Sequence, residues 1–110
     1  MRQFVVDDLS PMERDNIDSY LKRNLKIGPM IGLYWLILPD EILTDMQKEH
    51  TDCSPFYLGV EVEKDLVRFE FLVRSNAHLH CDCIAHTTPE QRQFALDFID
   101  TMLDEECIRS

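Results

Sequence analysis

The chain has little of what marks linkers, membrane spans and targeting segments. Glycine occurs only three times in 110 residues, and no internal repeat or low-complexity tract is present. The longest uncharged apolar run, residues 27–39, contains two prolines and is much shorter than the ~20 residues that a spanning helix needs. The N-terminal apolar run meets Asp7 and Asp8 at once, which argues against a signal peptide. These absences predict one soluble, cytoplasmic domain over residues 1–110.

Basic side chains are also in short supply. Eleven lysines and arginines stand against 21 aspartates and glutamates, which gives a formal net charge of −10. Most of the excess lies in residues 39–65 and 88–110. Such a surface repels phosphate backbones and anionic lipid headgroups, so we expect neither a nucleic-acid nor a membrane partner.

The sequence lacks the short motifs of common enzymes. It contains no G-x-G-x-x-G, P-loop, G-x-S-x-G or H-E-x-x-H pattern. The sequence therefore offers no candidate catalytic residues for an enzyme that works without a metal, and a non-enzymatic protein is favoured.

Two patterns predict the first and last helices. The stretch SPME at residues 10–13 has the form of a capping box with proline at the first helical position, and it starts a helix that runs to about Asn24. The stretch TPEQ at residues 88–91 repeats this pattern before an apolar stripe with helical spacing. Apolar spacing also indicates a short third helix over about residues 40–49.

Four segments have the composition of β-strands. Residues 31–38 form a nearly continuous apolar run, typical of a strand buried on both faces. Residues 56–63 and 66–74 alternate between apolar and polar, and residues 77–86 form a fourth strand. We therefore predict an α+β fold: a four-stranded, mostly antiparallel sheet with the N- and C-terminal helices packed on one face, as a two-layer sandwich.

The alternation of apolar and polar residues in segments 56–63 and 66–74 predicts the register of the central hairpin. A turn at Lys64-Asp65 brings core residues together, setting Val62 opposite Val67, Val60 opposite Phe69 and Leu58 opposite Phe71. On the other face it sets Glu61 opposite Arg68, an opposite-charge pair that supports the pairing.

The strand over residues 77–86 separates small apolar residues from polar ones. Its core face would hold Ala77, Leu79, Cys81, Cys83 and Ala85, and its outer face His78, His80, Asp82, Ile84 and His86. A three-residue loop, 75–77, pairs the core-facing residues of this strand with those of the preceding strand. It sets Phe71 opposite Cys81, Phe69 opposite Cys83, Leu72 opposite His80 and Glu70 opposite Asp82.

The outer face of this strand suggests one metal site. His78 and His80 can reach a common ion, and the predicted Glu70–Asp82 juxtaposition of like charges favours a cation between them. His78, His80, Asp82 and Glu70 thus form one candidate ligand set for zinc. The alternative is an ordinary solvent-facing strand.

The cysteines suggest a second, different metal site. Cys81 and Cys83 can both bind zinc, with Cys53 or Cys107 joining them. The spacing matches no standard zinc finger or ribbon, and the alternative is that the thiols are small core hydrophobes.

Large apolar residues on the outer face of the sheet predict a protein partner. Tyr57, Leu72 and Ile84 point outward in the predicted register, and strand 31–38 adds either Tyr34, Leu36 and Leu38 or Leu33, Trp35 and Ile37. We assign Tyr57, Leu72, Ile84, Tyr34 and Leu36 to the interface. Apolar patches of this kind usually bind a partner, most simply a second copy, unless the short middle helix covers them. The sequence thus favours a non-enzymatic interaction domain, with a transition-metal-binding protein as the alternative.

Overall fold

The structure is a computed structural model that describes residues 2–75, 77, 81 and 83–108. Within these residues it is an α+β fold of three α-helices and an antiparallel sheet of seven strands. The helices are α1 (Pro11–Asn24), α2 (Asp45–Glu49) and α3 (Pro89–Glu105). The strands are β1 (Gln3–Val6), β2 (Lys26–Ile27), β3 (Leu33–Ile37), β4 (Phe56–Val62), β5 (Val67–Glu70), β6 (Leu72–Ser75) and β7 (Ala85–His86).

All three helices begin with a complete capping box. At α1 the Ser10 hydroxyl accepts from the Glu13 N–H at 3.1 Å, and the Glu13 carboxylate accepts from the Ser10 N–H at 2.9 Å. Thr88 begins α3 in the same way, so both predicted helix starts are confirmed. The predicted helix over 40–49 is divided into a 3₁₀ turn, Asp40–Ile42, and α2, which has its own capping box.

The predicted central hairpin is confirmed in register. In β4 and β5, Val60 pairs with Phe69 and Val62 with Val67. Glu61 pairs with Arg68, and the carboxylate accepts from the guanidinium at 2.9 Å.

The predicted four strands are too few, because β1 and β2 were not predicted and because the second half of the hairpin bends at Phe71. The Phe71 N–H donates to Arg2 O at 2.9 Å and its carbonyl accepts from the Thr87 N–H at 3.2 Å, so Phe71 does not pair with Leu58. Beyond this bulge Tyr57 pairs with Arg74, two positions farther along than the hairpin register gives. The chain therefore forms two strands, β5 and β6, in place of one.

The predicted strand over 77–86 is wrong in length and register. Among the described residues of this range, only Ala85–His86 forms a strand, with Leu72 opposite His86 and Val73 opposite Ala85. The position predicted for Cys83, opposite Phe69, is taken by Phe4 of β1. The N-terminal strand thus occupies the edge of β5 and leaves Cys81 and Cys83 in an irregular segment before β7.

Helices α1 and α3 contact the same face of the sheet. The Tyr34 hydroxyl donates to Asp18 of α1 at 2.6 Å, and the ring of Phe98 in α3 lies 6.2 Å from that of Phe69 and 5.9 Å from that of Tyr20. Tyr34 and Phe69 are buried, whereas Arg68 on the opposite face is part-exposed. In the part of the chain that is described, no helix is long and apolar enough to cross a membrane.

Candidate metal centre

Four metal-ligating side chains converge beside α2. The ligand atoms of His50, Cys53, Cys81 and Cys83 all lie within 4.8 Å of one another. His50 Nδ1 is 3.1 Å from Cys81 Sγ and 3.9 Å from Cys53 Sγ, and the Sγ atoms of Cys53 and Cys81 are 3.4 Å apart. We refer to these four residues as the Cys3His cluster.

The end of α2 positions two of the four ligands. His50 closes this helix, and its N–H donates to Met46 O at 3.1 Å. A 3₁₀ turn, Thr51–Cys53, follows at once, and the Cys53 N–H donates back to His50 O at 2.9 Å. A single tight turn therefore brings the imidazole and the thiol of a His-x-x-Cys pair to the same point.

The segment before β7 supplies the other two ligands. The Ile84 N–H donates to Cys81 O at 3.0 Å, which folds the Cys-x-Cys pair into a turn. Cys83 O accepts a 3.2 Å hydrogen bond from Gln47 Nε2 of α2. On the opposite side, the Ser75 hydroxyl of β6 donates to Cys53 O. Side-chain hydrogen bonds thus join the two ligand-bearing segments to each other and to the sheet.

Two buried glutamines form a relay behind Cys83. Gln91 Nε2 donates to Gln47 Oε1 at 2.9 Å and to Ile42 O at 3.0 Å. Gln47 is 2% exposed and Gln91 0%. Each is the third residue of its helix and also completes that helix's capping box. Buried amides at these two helix starts therefore position the backbone of a candidate ligand.

The thiols of the cluster differ in acidity because of their surroundings. A hydrogen bond from the Cys83 backbone N–H, with others from neighbouring side chains, lowers the pKa of the Cys81 thiol to about 6. Burial and the adjacent thiols raise the pKa of Cys83 to about 12, and burial also raises the pKa of Cys53. Negative charge in the cluster is thus unfavourable beyond one thiolate. A divalent cation reverses this, because metal coordination deprotonates the thiols that it binds.

The donor set and its spacing fit zinc. In a tetrahedral site with Zn–S bonds of ~2.3 Å, sulfur atoms lie about 3.8 Å apart, close to the Cys53–Cys81 distance of 3.4 Å. Thiolate and imidazole are ligands that zinc prefers and that magnesium and calcium do not. The residues present can therefore hold a zinc ion with small side-chain adjustments.

The other predicted ligand set stays a prediction, because His78, His80 and Asp82 lie outside the described residues. Glu70 is engaged elsewhere, because both of its carboxylate oxygens accept from Arg74, at 2.6 and 3.3 Å.

Of the second predicted set, Cys53 joins Cys81 and Cys83, and the exposed Cys107 does not. His50 was missed. Its signal in the sequence is the His-x-x-Cys spacing of His50 and Cys53. Cys53 lies 28 residues before Cys81, and nothing in the sequence connects this pair to the Cys-x-Cys pair.

The structure divides the predicted interface residues between the two faces of the sheet. Tyr34 and Leu36 are 2% and 4% exposed, so their assignment to the outer face is wrong. They point at the helices because Tyr34 pairs with Val60, which belongs to the core face of β4. Trp35 lies outward instead and stacks on Tyr57, with ring centroids 4.2 Å apart.

The other two predicted interface residues, Leu72 and Ile84, are half-buried. A partner for them stays a prediction.

Comparison with known proteins assigns no relative. The chain matches no protein-family model, no curated protein and no solved structure at a significant level. Its function is therefore argued from the geometry of the site alone.

Proposed function

We propose that the protein is a zinc-binding domain whose Cys3His cluster holds one structural zinc ion. The observation that carries this proposal is the convergence of one imidazole and three thiols, from two separate segments, within 4.8 Å. Two of the thiols, those of Cys53 and Cys83, are at most 2% exposed. Buried sulfur ligands beside an imidazole are typical of structural zinc sites.

A structural role follows from the number of ligands. Four protein ligands fill a tetrahedral coordination sphere, whereas a catalytic zinc site keeps one position open for water or substrate. The proposed zinc ion therefore has no free position for chemistry.

The ion's proposed task is to connect two segments that have little regular structure. His50 and Cys53 lie at and just beyond the end of a five-residue helix, and Cys81 and Cys83 lie in the turn before a two-residue strand. Within the described residues, neither segment is held by a long ladder of backbone hydrogen bonds. A metal that binds the folded arrangement contributes its binding energy to folding.

Native mass spectrometry of untagged protein, purified without chelator, tests the proposal. We expect one zinc ion per chain, lost in Cys81→Ser and in Cys83→Ser. Cys107→Ser is the matched control, because Cys107 is an exposed thiol outside the cluster, and it should retain zinc. Cobalt substitution should give the intense absorption bands of a tetrahedral thiolate site.

The same experiment separates the two metal sites that the sequence suggests. His80→Ala should retain zinc if the Cys3His cluster is the site, and His50→Ala should weaken zinc binding. Reduced, metal-free protein that takes up no zinc would contradict the proposal. Zinc that is lost in His80→Ala but kept in Cys83→Ser would assign the ion to the histidine pair.

A further inference from the structure

The sheet face opposite α1 and α3 has a groove that Gly59 lines, and we call it the Gly59 groove. This glycine lies in the middle of β4, directly opposite Trp35 of β3. A Cβ atom built there would meet only Glu70 Oε1, at 3.9 Å, and the backbone of Gly59 does not have a positive φ. The fold of the single chain thus gives no reason for glycine, which weakens a strand interior. A glycine of this kind often marks a close approach by another molecule.

Part of the groove's lining is aromatic and aliphatic. The groove has a volume of about 270 Å³, and Trp35, Tyr57 and Leu33 are among its lining residues. The Trp35 and Tyr57 rings stack with an interplanar angle of 13°, so they form one continuous aromatic wall. Tryptophan and tyrosine are the side chains that most often contribute strongly at the centres of protein interfaces.

An apolar projection adjoins the groove. Residues 28–32 connect β2 to β3, and within them Met30 is 67% exposed and Ile31 fully exposed. Pro29, in the same connection, is a lining residue of the groove. One surface therefore carries both a cavity and a projecting aliphatic side chain of a size that can enter it.

Charge on this face is balanced, unlike the charge of the whole chain. Around the groove, Arg68 contacts Glu61 and Glu63 at 2.9 and 2.8 Å, Arg74 contacts Glu70, and Lys26 lies over the Trp35 ring at 5.0 Å. This face thus carries three basic and three acidic side chains around the groove, in a chain whose net charge is −10. Two copies repel each other through most of their surface but not through this face.

We propose that a second copy of the chain docks on this face, with the Ile31 projection of each protomer seated in the Gly59 groove of the other. A two-fold interface uses the same surface on both protomers, so that surface must be complementary to itself. The groove, the adjoining projection and the balanced charge together meet that requirement. The dimer does not depend on the Cys3His cluster.

Sedimentation velocity of the purified protein, from about 1 to 100 μM and with or without added zinc, tests the proposal with three variants. Gly59→Thr fills the groove where the monomer has room for a Cβ, and threonine suits a strand. Ile31→Ser removes the projection. Met12→Ser is the matched control, because Met12 is 73% exposed on α1 and lies outside the proposed interface.

We expect a wild-type dimer whose dissociation constant rises at least about tenfold in Gly59→Thr and in Ile31→Ser, and is unchanged in Met12→Ser. Thermal melting at low concentration should show that Gly59→Thr does not lower monomer stability. A wild-type protein that is monomeric at 100 μM would overturn the proposal. So would a dimer that either groove or projection variant leaves intact, since another surface would then hold it.

Discussion

The central hairpin and the Cys3His cluster are stabilised in different ways. In the hairpin, β4 and β5 are neighbours in sequence, and Val60, Val67 and Phe69 are at most 1% exposed. In the cluster, His50 and Cys53 lie 28 or more residues before Cys81 and Cys83, and within the described residues these segments have few ladder hydrogen bonds. The hairpin is therefore held by pairing and burial that its own sequence dictates, whereas the cluster would, on our proposal, depend on an ion that bridges distant segments.

Removal of the proposed zinc ion should have the largest effect on stability. A metal that binds the folded chain and not the unfolded chain stabilises the fold by about 4 kcal/mol when its free concentration is about 1,000 times its dissociation constant. Loss of zinc should therefore lower Tm by roughly 12 °C or more. Thermal melting of zinc-loaded and chelator-treated protein measures the change.

Hydrogen exchange would show which residues lose stability when zinc is removed. Amides of residues 45–53 and 83–86 should lose protection without zinc, while those of 58–62 and 67–70 keep theirs below the melting transition. Equal loss of protection in both regions would contradict the division into a self-sufficient hairpin and a metal-dependent cluster.

The same difference explains what the sequence can predict. The β4–β5 register follows from the two-residue period of the side chains and from a two-residue turn, both of which are local. The cluster is different, because three of its four ligands were candidates from residue type alone, but His50 acquires its role only when α2 is folded against the segment before β7.

The edge of the sheet was mispredicted for a related reason. The sequence gives residues 77–86 a plausible strand pattern, and it correctly places Cys83 among the buried residues. It does not show that the short β1 competes for the same edge of β5. In the structure β1 occupies this edge, because Phe4 pairs with Phe69 at the position that was predicted for Cys83. Competition between distant segments for one edge is invisible to a local pattern.

The glutamine relay connects the cluster to the rest of the fold, so changing it tests whether Gln47 positions Cys83 for zinc binding. Gln47→Glu keeps the oxygen that completes the α2 capping box but removes the Nε2 donor to Cys83 O. Loss of a group that orients a metal ligand typically weakens metal binding about 10–100-fold. We expect a decrease of that size in zinc affinity, measured by competition with a chromophoric chelator.

The control is Gln93→Glu, the same change at an exposed position on α3, which should leave zinc affinity unchanged. If Gln47→Glu bound zinc as tightly as the wild type, the relay would be part of the core only and would not position Cys83.

The smallest effect should come from the ion pair on the hairpin itself. Glu61 and Arg68 made the register predictable, yet their side chains are 46% and 30% exposed, and Arg68 retains Glu63 when Glu61 is changed. Pairs this accessible to water contribute about 0–1 kcal/mol. Glu61→Gln should therefore lower the free energy of unfolding by less than about 1 kcal/mol, and by less still in 1 M salt. Urea unfolding at low and high salt measures both values. A loss well above about 1 kcal/mol that falls in 1 M salt would mean that this ion pair stabilises the hairpin more than its exposure allows.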